Sequence, residues 1–396
     1  MNIVIAAVSA SVQLSGVSRH AANVARCLLT RSDVTAVHLL VAQRQYESFC
    51  EAISRVDARL HIHSISIGSS TLARNVWHYT DLPAIAAQLE ADVVHLSYPM
   101  PLRAGAFHCP TVVTLHDLYP YDIPENFGFP KVLFNRLVLW QCLRAADAIA
   151  CVSDSTLRQL GNKAAGPLFE KAVRIYNSVE PSTSLGGQNP LPQWKRSPFF
   201  LCVAQHRRNK NLLLTLQSFR RLLSEKKIHP ATLLVIVGID GPETPQIHRF
   251  ISTAGLSENV VLLSGIREAE MLWCYRNCEL LLAPSLVEGF GLPVAEALLA
   301  GCRVVCSDIP AFRELGGSEG CHYVPLTSST EETLAEAICT VLSQPRPTPP
   351  SLPQLSAPVI AAEYIRLYRQ VLLQETSSSR RLQATRRTAI QKGHPS

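Results

Sequence analysis

Two carboxylates and two glycines follow a predicted strand in the second half of the chain. The segment 280–301 reads LLLAPSLVEGFGLPVAEALLAG, with Glu288, Gly289 and Gly291 in a turn and Glu296 in the helix that follows. Such a turn directs backbone N–H groups and the positive end of a helix dipole to one point, which suits a diphosphate. Carboxylates accept hydrogen bonds from vicinal hydroxyls, so one acid can hold a ribose and the other a sugar. The alternative is a simple turn followed by a surface acid that complements the helix dipole.

Basic residues, a histidine and a glycine follow other predicted strands. Lys210 lies in VAQHRRNKNL together with Arg207 and Arg208, and a solvated basic turn is the alternative to a binding role. His116 ends the strand PTVVTLH, where a bare histidine is more often a structural group with satisfied hydrogen bonds. Gly16 follows the first strand and permits a close backbone approach to a sugar or an acceptor.

The elements that must position these residues are strands and helices in alternation. Apolar, β-branched or leucine-rich runs separate helical patterns from the first residue to about residue 325. Continuous apolar strands separated by helices predict parallel sheets that are covered on both faces. We therefore predict an α/β fold with two doubly wound, Rossmann-like domains that face a common cleft. Ligands in such folds bind beyond the carboxyl ends of the strands, where the residues above lie.

Composition shifts along the chain predict the domain boundaries. A segment rich in Pro, Gly and Ser, residues 181–198, is predicted to link a first domain, 1–180, to a second domain, 199–345. Residues 346–374 are predicted to form a proline-rich spacer and a helix that returns to the domain junction. Residues 375–396 are basic and are predicted to be a disordered tail.

The overall composition excludes several classes of protein. The chain has 396 residues, of which 47% are hydrophobic and 17% charged, which is too apolar for a disordered protein. The net charge of +6 falls to about +2 when the basic tail is left out, so no basic stripe indicates binding to nucleic acid. No apolar run approaches the length that spans a bilayer.

The twelve cysteines indicate a reduced, cytoplasmic environment, because many of them lie inside apolar runs. Cys274 with Cys278, and Cys302 with Cys306, have a CxxxC spacing that could offer four metal thiolates. The first pair lies in a helical pattern and the second in a strand-like pattern. We therefore predict that these thiols pack in the core.

The segment EGFGLPVAEALLAG resembles the Glu-x7-Glu signature of the retaining GT-B glycosyltransferases of family 4. The resemblance covers residues 1–375 and rests on an ordered set of motifs. These are SGVSRH at 15–20, TLHDLYP at 114–120, DAIACVSDST at 147–156, IYNSVEP at 175–181, VAQHRRNKNL at 203–212, VIVGIDG at 235–241 and LSGIREAEM at 263–271.

The resemblance implies roles for the donor-binding residues. Glu296 would bind the ribose hydroxyls of a nucleotide and Glu288 the hydroxyls of the donor sugar. Backbone N–H groups of the turn would contact sugar and phosphate; its residues are Gly289, Phe290, Gly291 and Leu292.

The resemblance also implies roles for residues of the other loops. Lys210 would neutralise the diphosphate, assisted by Arg207 or Arg208, because relatives often have an arginine where this chain has Gln205. His116 would lie near the donor sugar and its reacting carbon, and Gly16 would allow the backbone to approach a ligand.

The expected activity is transfer of a hexose from a nucleotide sugar to a glycan or lipid-linked acceptor, with retention at the anomeric carbon. GDP-mannose is the favoured donor, and the UDP sugars of glucose, N-acetylglucosamine and galactose are alternatives. The chain contains no Asp-x-Asp motif, so neither a metal nor another cofactor is expected. A nucleotide-sugar epimerase and a non-catalytic partner of a transferase are two further alternatives.

Contact with the cytoplasmic face of a membrane is a further expectation. The apolar, partly basic segment 132–144 and the basic tail would suit a lipid-linked acceptor at a membrane surface. An ordinary helix that faces the core is the favoured alternative for 132–144.

Overall fold

The apolar runs that the sequence predicts as strands form two parallel β-sheets in the computed structural model, as expected for two α/β domains. The structure describes residues 1–9, 14–53, 57–68, 70–164, 166–180, 189–191, 197–328 and 330–391. Most of the predicted linker, 181–198, therefore lies outside the described residues. The central strands of each sheet are buried on both faces because helices cover each sheet from both sides.

The first domain contains a seven-stranded sheet in the order β3-β2-β1-β4-β5-β6-β7. Its elements, in chain order, are β1 Asn2–Ala6, α1 Gly16–Leu29, β2 Ala36–Ala42, α2 Tyr46–Ala52, β3 Leu60–Ile65, α3 Thr71–Gln88, β4 Val93–Leu96, β5 Thr111–Leu115, α4 Tyr119–Asp122, α5 Lys131–Ala145, β6 Ala148–Cys151, α6 Asp154–Lys163, α7 Pro167–Glu170 and β7 Ala172–Arg174.

The second domain contains a six-stranded parallel sheet in the order β10-β9-β8-β11-β12-β13. Its elements are β8 Phe199–Val203, α8 Leu212–Ser224, β9 Leu233–Val237, α9 Thr244–Thr253, β10 Val260–Leu263, α10 Glu268–Asn277, β11 Leu280–Ala283, α11 Leu292–Leu299, β12 Val304–Ser307, α12 Pro310–Gly316, β13 His322–Val324 and α13 Glu331–Leu342. The cysteines of both CxxxC pairs are buried in this domain, which confirms the prediction that they pack in the core.

The strand order reverses once in each sheet, and these two points define where a ligand can enter. In the first sheet the reversal lies between β1 and β4, and in the second it lies between β8 and β11. Connections leave such a point in opposite directions and leave a crevice beyond the carboxyl ends of the strands. The turn after β11 and the loop after β8 therefore meet at one crevice of the second domain.

The last helix, α14 Ala357–Gln391, packs on the first domain. Its residues Ile360, Tyr364 and Tyr368 are buried in the same apolar cluster as α1 and one face of the first sheet. The helix thus follows the second domain in sequence but buries its apolar side chains against the first domain. Because this stripe is buried, α14 is part of the first domain's core although it is the last element of the chain.

The structure differs from the predicted disordered tail, because α14 continues to Gln391. The chain has no Gly or Pro between Val359 and Gln391, so no residue interrupts the helical backbone there. Residues 392–396 of the predicted tail lie outside the described residues.

Candidate active site

The turn between β11 and α11 has the backbone that the sequence predicts. Gly291 is the residue before α11 and adopts φ 100°, a conformation that disfavours residues with a Cβ. A Cβ on Gly291 would also lie 2.7 Å from the Phe312 ring. Pro293 stands in the first turn of α11, where a missing N–H costs nothing. The N–H groups of Val294 and Ala295 donate to the Gly291 carbonyl oxygen at 3.0 and 3.1 Å, so the backbone that faces the crevice is that of the turn before them.

Glu288 is the centre of a hydrogen-bonded cluster that includes both domains. Its Oε1 atom accepts from Lys210 Nζ at 2.6 Å and from Ser285 Oγ at 2.7 Å. Its Oε2 atom accepts from the Tyr119 hydroxyl of the first domain at 3.0 Å. Lys210, Ser285, Glu288 and Gly291 also line one small pocket beyond β8 and β11. The cluster places a cation and a carboxylate where the sequence predicts a sugar diphosphate.

Glu296, one turn into α11, is held by a second tyrosine. The Tyr275 hydroxyl donates to Glu296 Oε2 at 2.7 Å. Burial raises the pKa of Glu296, while the hydrogen bond from Tyr275 and the charge of Arg19 oppose that rise. Arg19 is exposed and belongs to α1 of the first domain, so its charge acts on Glu296 across the cleft.

His116 closes the cleft from the side of the first domain. Its Nε2 atom lies 2.8 Å from the carbonyl oxygen of Ser97, which can only accept, so Nε2 carries the proton and Nδ1 does not. Burial lowers the pKa of His116 to about 4. A Cβ on Gly289 would lie 1.7 Å from the carbonyl oxygen of His116, so only glycine fits between the two domains at this point.

The amino end of α6 fixes the contact between the domains. Ser153 Oγ donates to the carbonyl oxygen of Gly289, and Thr156 Oγ1 lies 3.1 Å from the same oxygen. Glu314 of α12 accepts from the backbone N–H groups of Asp154 and Ser155 at 2.9 and 2.5 Å. A carboxylate at a helix N-terminus is stabilised by the unpaired N–H groups and the helix dipole. These contacts hold the Glu288–Gly291 turn against the first domain.

The two arginines near Lys210 differ in their surroundings. Arg207 is half-buried and its charge acts on Asp117 and Tyr119 of the first domain, whereas Arg208 is exposed and its charge acts on Glu243. Burial raises the pKa of Asp117 to about 6, and Arg207 partly opposes that rise. Arg207 is therefore the arginine that faces the cleft.

The three remaining predicted residues are Gly16, Phe290 and Leu292. Gly16 is the first residue of α1, and a Cβ there would meet nothing within 4 Å. The Phe290 side chain is buried and lies 5.9 Å from the Tyr176 ring, so only its backbone can face a donor. Leu292, the first residue of α11, is half-buried.

Four residues of the site carry hydrogen bonds that the sequence analysis did not predict: Tyr119, Ser153, Tyr275 and Ser285. Tyr119 and Ser153 lie within the motifs TLHDLYP and DAIACVSDST, and Ser285 lies two residues after β11. Their position in those motifs was the available signal. Tyr275 lies in a helical pattern without such a signal.

The chain matches two sequence families that divide it at the domain junction. Residues 14–183 match "Glycosyltransferase Family 4", and residues 189–353 match "Glycosyl transferases group 1". The two matches meet at the proline-rich segment. Together they include all of the site residues described above.

Curated relatives are about a quarter identical to this chain within the matched regions. The serotype-specific mannosyltransferase WbdA of Escherichia coli is 27% identical over 264 residues, which are 60% of this chain and 31% of that protein. The O-antigen chain mannosyltransferase RfbU of Salmonella typhimurium is 28% identical over 204 residues, 51% of this chain and 53% of that protein. The matched parts thus span about a third of WbdA and about half of RfbU.

Solved structures share the fold over nearly the whole chain. WaaG, a glycosyltransferase involved in lipopolysaccharide biosynthesis, has a TM-score of 0.64 at 16% identity and covers 93% of this chain and 98% of its own. Anabaena HepE in complex with UDP-glucose has a TM-score of 0.65 at 18% identity and covers 96% of this chain and 100% of its own.

Two further observations describe what the structure lacks within the described residues. No group of three or more His, Cys, Asp or Glu side chains there is arranged to hold a metal ion. No helix among those residues is long and apolar enough to cross a membrane.

Proposed function

The chain belongs to the GT-B glycosyltransferases, and we propose that it moves a hexose from a nucleotide sugar to a hydroxyl acceptor with retention at the anomeric carbon. The observation that carries the proposal is the cluster at Glu288, where Lys210 and Ser285 of the second domain meet Tyr119 of the first. A carboxylate that a cation and two hydroxyls hold at the domain interface suits a sugar with a phosphate leaving group.

Different residues of the site bind different parts of the donor. Glu296 binds the ribose, because its carboxylate lies one turn inside α11 and Tyr275 fixes one of its oxygens. Lys210, with Arg207 at the same cleft, stabilises the charge that the departing diphosphate develops. The backbone N–H groups of the turn from Gly289 to Leu292 contribute to the same stabilisation. Glu288 keeps its bonds to Tyr119 and Lys210, which orient the carboxylate, and Oε2 accepts from a sugar hydroxyl with its remaining lone pair.

The reaction is a front-face displacement in which the leaving diphosphate takes the proton of the acceptor hydroxyl. In this proposal no side chain becomes covalently bound to the sugar. The protein acts by orienting the two substrates and by stabilising phosphate charge. The contacts of Ser153 and Glu314 across the junction hold the domains together, which excludes water from the donor.

We propose GDP-mannose as the donor. The relatives WbdA and RfbU are described as mannosyltransferases, and they support this choice at modest identity. A UDP sugar is the second candidate, supported by the fold of HepE, whose structure contains UDP-glucose. We further propose that the reaction needs no metal, since the chain lacks an Asp-x-Asp motif.

The acceptor is a glycan or a lipid-linked glycan that binds the first domain, at the cytoplasmic face of a membrane. Helix α5 buries Leu139 and Leu143 in the core, as the predicted core-facing helix requires, but it also exposes apolar side chains on its other side. Leu137 is 70% exposed and Phe129, just before the helix, is 83% exposed. Exposed apolar side chains beside the basic residue Lys131 suit a lipid surface.

The test measures nucleotide binding first and product configuration second. Thermal midpoints are recorded with GDP, UDP and ADP, each with and without EDTA, because a ligand of the folded state raises its stability. We expect GDP alone to raise the midpoint, with no effect of EDTA. Proton NMR of a mannose product should then show the anomeric configuration of the donor.

Other outcomes distinguish the alternatives. A shift with UDP would replace the proposed donor. Conversion of the sugar without an acceptor would indicate an epimerase, and the absence of a shift with every nucleotide would indicate a non-catalytic partner.

A further inference from the structure

A chain of buried polar side chains connects helix α14 to the neighbourhood of His116. The Tyr368 hydroxyl lies 2.7 Å from Nδ1 of His95, and Nε2 of His95 lies 2.8 Å from Oγ1 of Thr114. The same Oγ1 atom lies 3.3 Å from Nε2 of His20. The His20 ring meets the His116 ring edge to face, with centroids 4.7 Å apart.

The alternation of side chains along the strands explains why these groups share one face. His95 is the third residue of β4, and Thr114 and His116 are two residues apart at the end of β5, so Thr114 and His116 point to the same side of the sheet. Helices α1 and α14 cover that side and supply His20 and Tyr368. Four elements that are distant in sequence therefore meet beside His116.

The hydrogen bonds can run in one direction along the chain. Tyr368 donates to Nδ1 of His95, whose Nε2–H donates to Thr114, whose hydroxyl donates to Nε2 of His20. His95 then accepts at Nδ1 and donates at Nε2, so its tautomer depends on both neighbours. Nε2 of His20 accepts from Thr114 and also lies 3.5 Å from the Tyr364 hydroxyl. Loss of the Tyr368 hydroxyl leaves Nδ1 of His95 without its donor.

Burial keeps all three imidazoles neutral in the folded protein. It lowers the pKa of His95 to about 3 and that of His20 well below its ordinary value, and neighbouring histidines lower both further. A neutral His20 packs against His116 without charge repulsion. Apolar side chains would fill the same space without a need for partners, so the polar chain has a cost that a purely structural role does not require.

We propose that Tyr368 is a positioning residue for the active site: through His95, Thr114 and His20 it sets the orientation of the His116 ring. This proposal rests on the proposed function, because it takes His116 to lie beside the reacting sugar. Helix α14 then contributes to the reaction although none of its buried residues reaches the cleft. The His116 ring is held on one side by the Ser97 carbonyl and on the other by His20.

The first experiment compares Tyr368→Phe with the wild type. The variant removes one hydroxyl and keeps the ring, so the apolar packing of α14 remains. We expect kcat to fall about tenfold, with the KM for the donor changed less than about twofold, because a misplaced His116 affects the reacting centre and not the nucleotide. Tyr323→Phe is the matched control. The Tyr323 hydroxyl donates to Gly317 in the second domain at 2.8 Å and contacts none of the polar side chains between Tyr368 and His116.

The second experiment needs no substrate and therefore separates this proposal from the proposed function. Nitrogen-15 NMR of the histidine rings reports their tautomers, with His116→Ala used to assign the His116 signals. We expect Tyr368→Phe to change the ring signals of His95, His20 and His116, and Tyr323→Phe to leave all three unchanged. If the wild type transfers no sugar but these signals change, the proposed function fails and the positioning chain stands.

A variant in the middle of the chain tests whether the groups act together. Thr114→Val removes the hydroxyl between His95 and His20 and keeps a similar shape. We expect the same loss of kcat as in Tyr368→Phe, and no larger loss in the double variant, because residues that act as one unit are not additive. Unchanged His116 signals in both single variants, or additive losses of kcat, would overturn the proposal.

Discussion

The Tyr119 hydroxyl of the first domain donates to Glu288 Oε2 of the second domain at 3.0 Å. The two residues are 169 positions apart in the chain. Lys210 binds the other oxygen of the same carboxylate. Glu288 is thus the point at which the two domains and the charged groups of the cleft meet.

Tyr119→Phe should weaken use of the donor without preventing nucleotide binding. The change leaves Glu288 Oε2 without its partner across the cleft, so we expect kcat/KM for the nucleotide sugar to fall about tenfold. Affinity for the nucleotide alone should be retained. Steady-state kinetics and calorimetry measure the two quantities. Tyr121→Phe is the control, because the Tyr121 hydroxyl contacts Trp140 within the first domain. An equal loss in both variants would contradict a specific role for Tyr119.

Gly289→Ala should separate the two domains. The added Cβ would lie 1.7 Å from the His116 carbonyl oxygen. Because both groups belong to backbone, only movement of one domain away from the other can relieve this clash. We expect a larger radius of gyration in X-ray scattering, an intact circular dichroism spectrum and turnover reduced by about 100-fold. Gly105→Ala is the control, since a Cβ there would meet nothing within 4 Å. Normal turnover of Gly289→Ala would show that this contact is not needed.

Substitution of the cations of the cleft should distinguish the contribution of Arg207 to turnover from that of Arg208. Lys210→Ala should reduce turnover by about 100-fold or more, because one group that stabilises the leaving diphosphate is lost. Arg207→Ala should cause a larger loss than Arg208→Ala, because Arg207 faces Asp117 whereas Arg208 is exposed beside Glu243. Affinity for the nucleoside diphosphate, measured by calorimetry, should follow the same order. A larger loss in Arg208→Ala would reverse the assignment.

Acid should destabilise the fold through the buried histidines of the first domain. Folding lowers the pKa of His20, His95 and His116 below the ordinary value of 6.5, to about 3 for His95 and about 4 for His116. The unfolded chain therefore binds protons that the folded chain cannot, and stability falls as the pH falls below 6.5. Each histidine should lower the free energy of unfolding by about 1.4 kcal/mol per pH unit until its folded pKa is reached.

Urea unfolding at pH 7, 6 and about 5 measures this slope. In His95→Asn the slope should be smaller by about 1.4 kcal/mol per pH unit, because one proton fewer is taken up on unfolding. An unchanged slope in the variant would mean that His95 takes up its proton at the same pH in the folded and the unfolded protein, which contradicts the lowered pKa.

Much of the fold could be predicted because the strands are continuous apolar runs. The segments TLLVIVG and VVLLSG became β9 and β10 because both faces of the second sheet are covered. Glu288 and Lys210 could be placed together because each follows a strand beside the reversal of strand order. The family resemblance then indicated which chemistry those groups perform.

The remaining contacts could not be predicted from local patterns. The bonds of Tyr119 to Glu288 and of Tyr368 to His95 join residues that are 169 and 273 positions apart, and nothing in a helical or strand period indicates them. The continuation of α14 beyond residue 374 fits the absence of Gly and Pro there, whereas the basic charge of this segment favoured a disordered tail.

Calorimetric titration of the wild type and of Glu296→Ala with GDP-mannose and with UDP-glucose tests the central claim most directly. The account predicts that GDP-mannose binds the wild type and that Glu296→Ala weakens this binding by about 100-fold, because the ribose loses a charged acceptor. Binding of neither nucleotide sugar, or equal affinity in the wild type and the variant, would contradict a donor site at Glu288, Lys210 and Glu296.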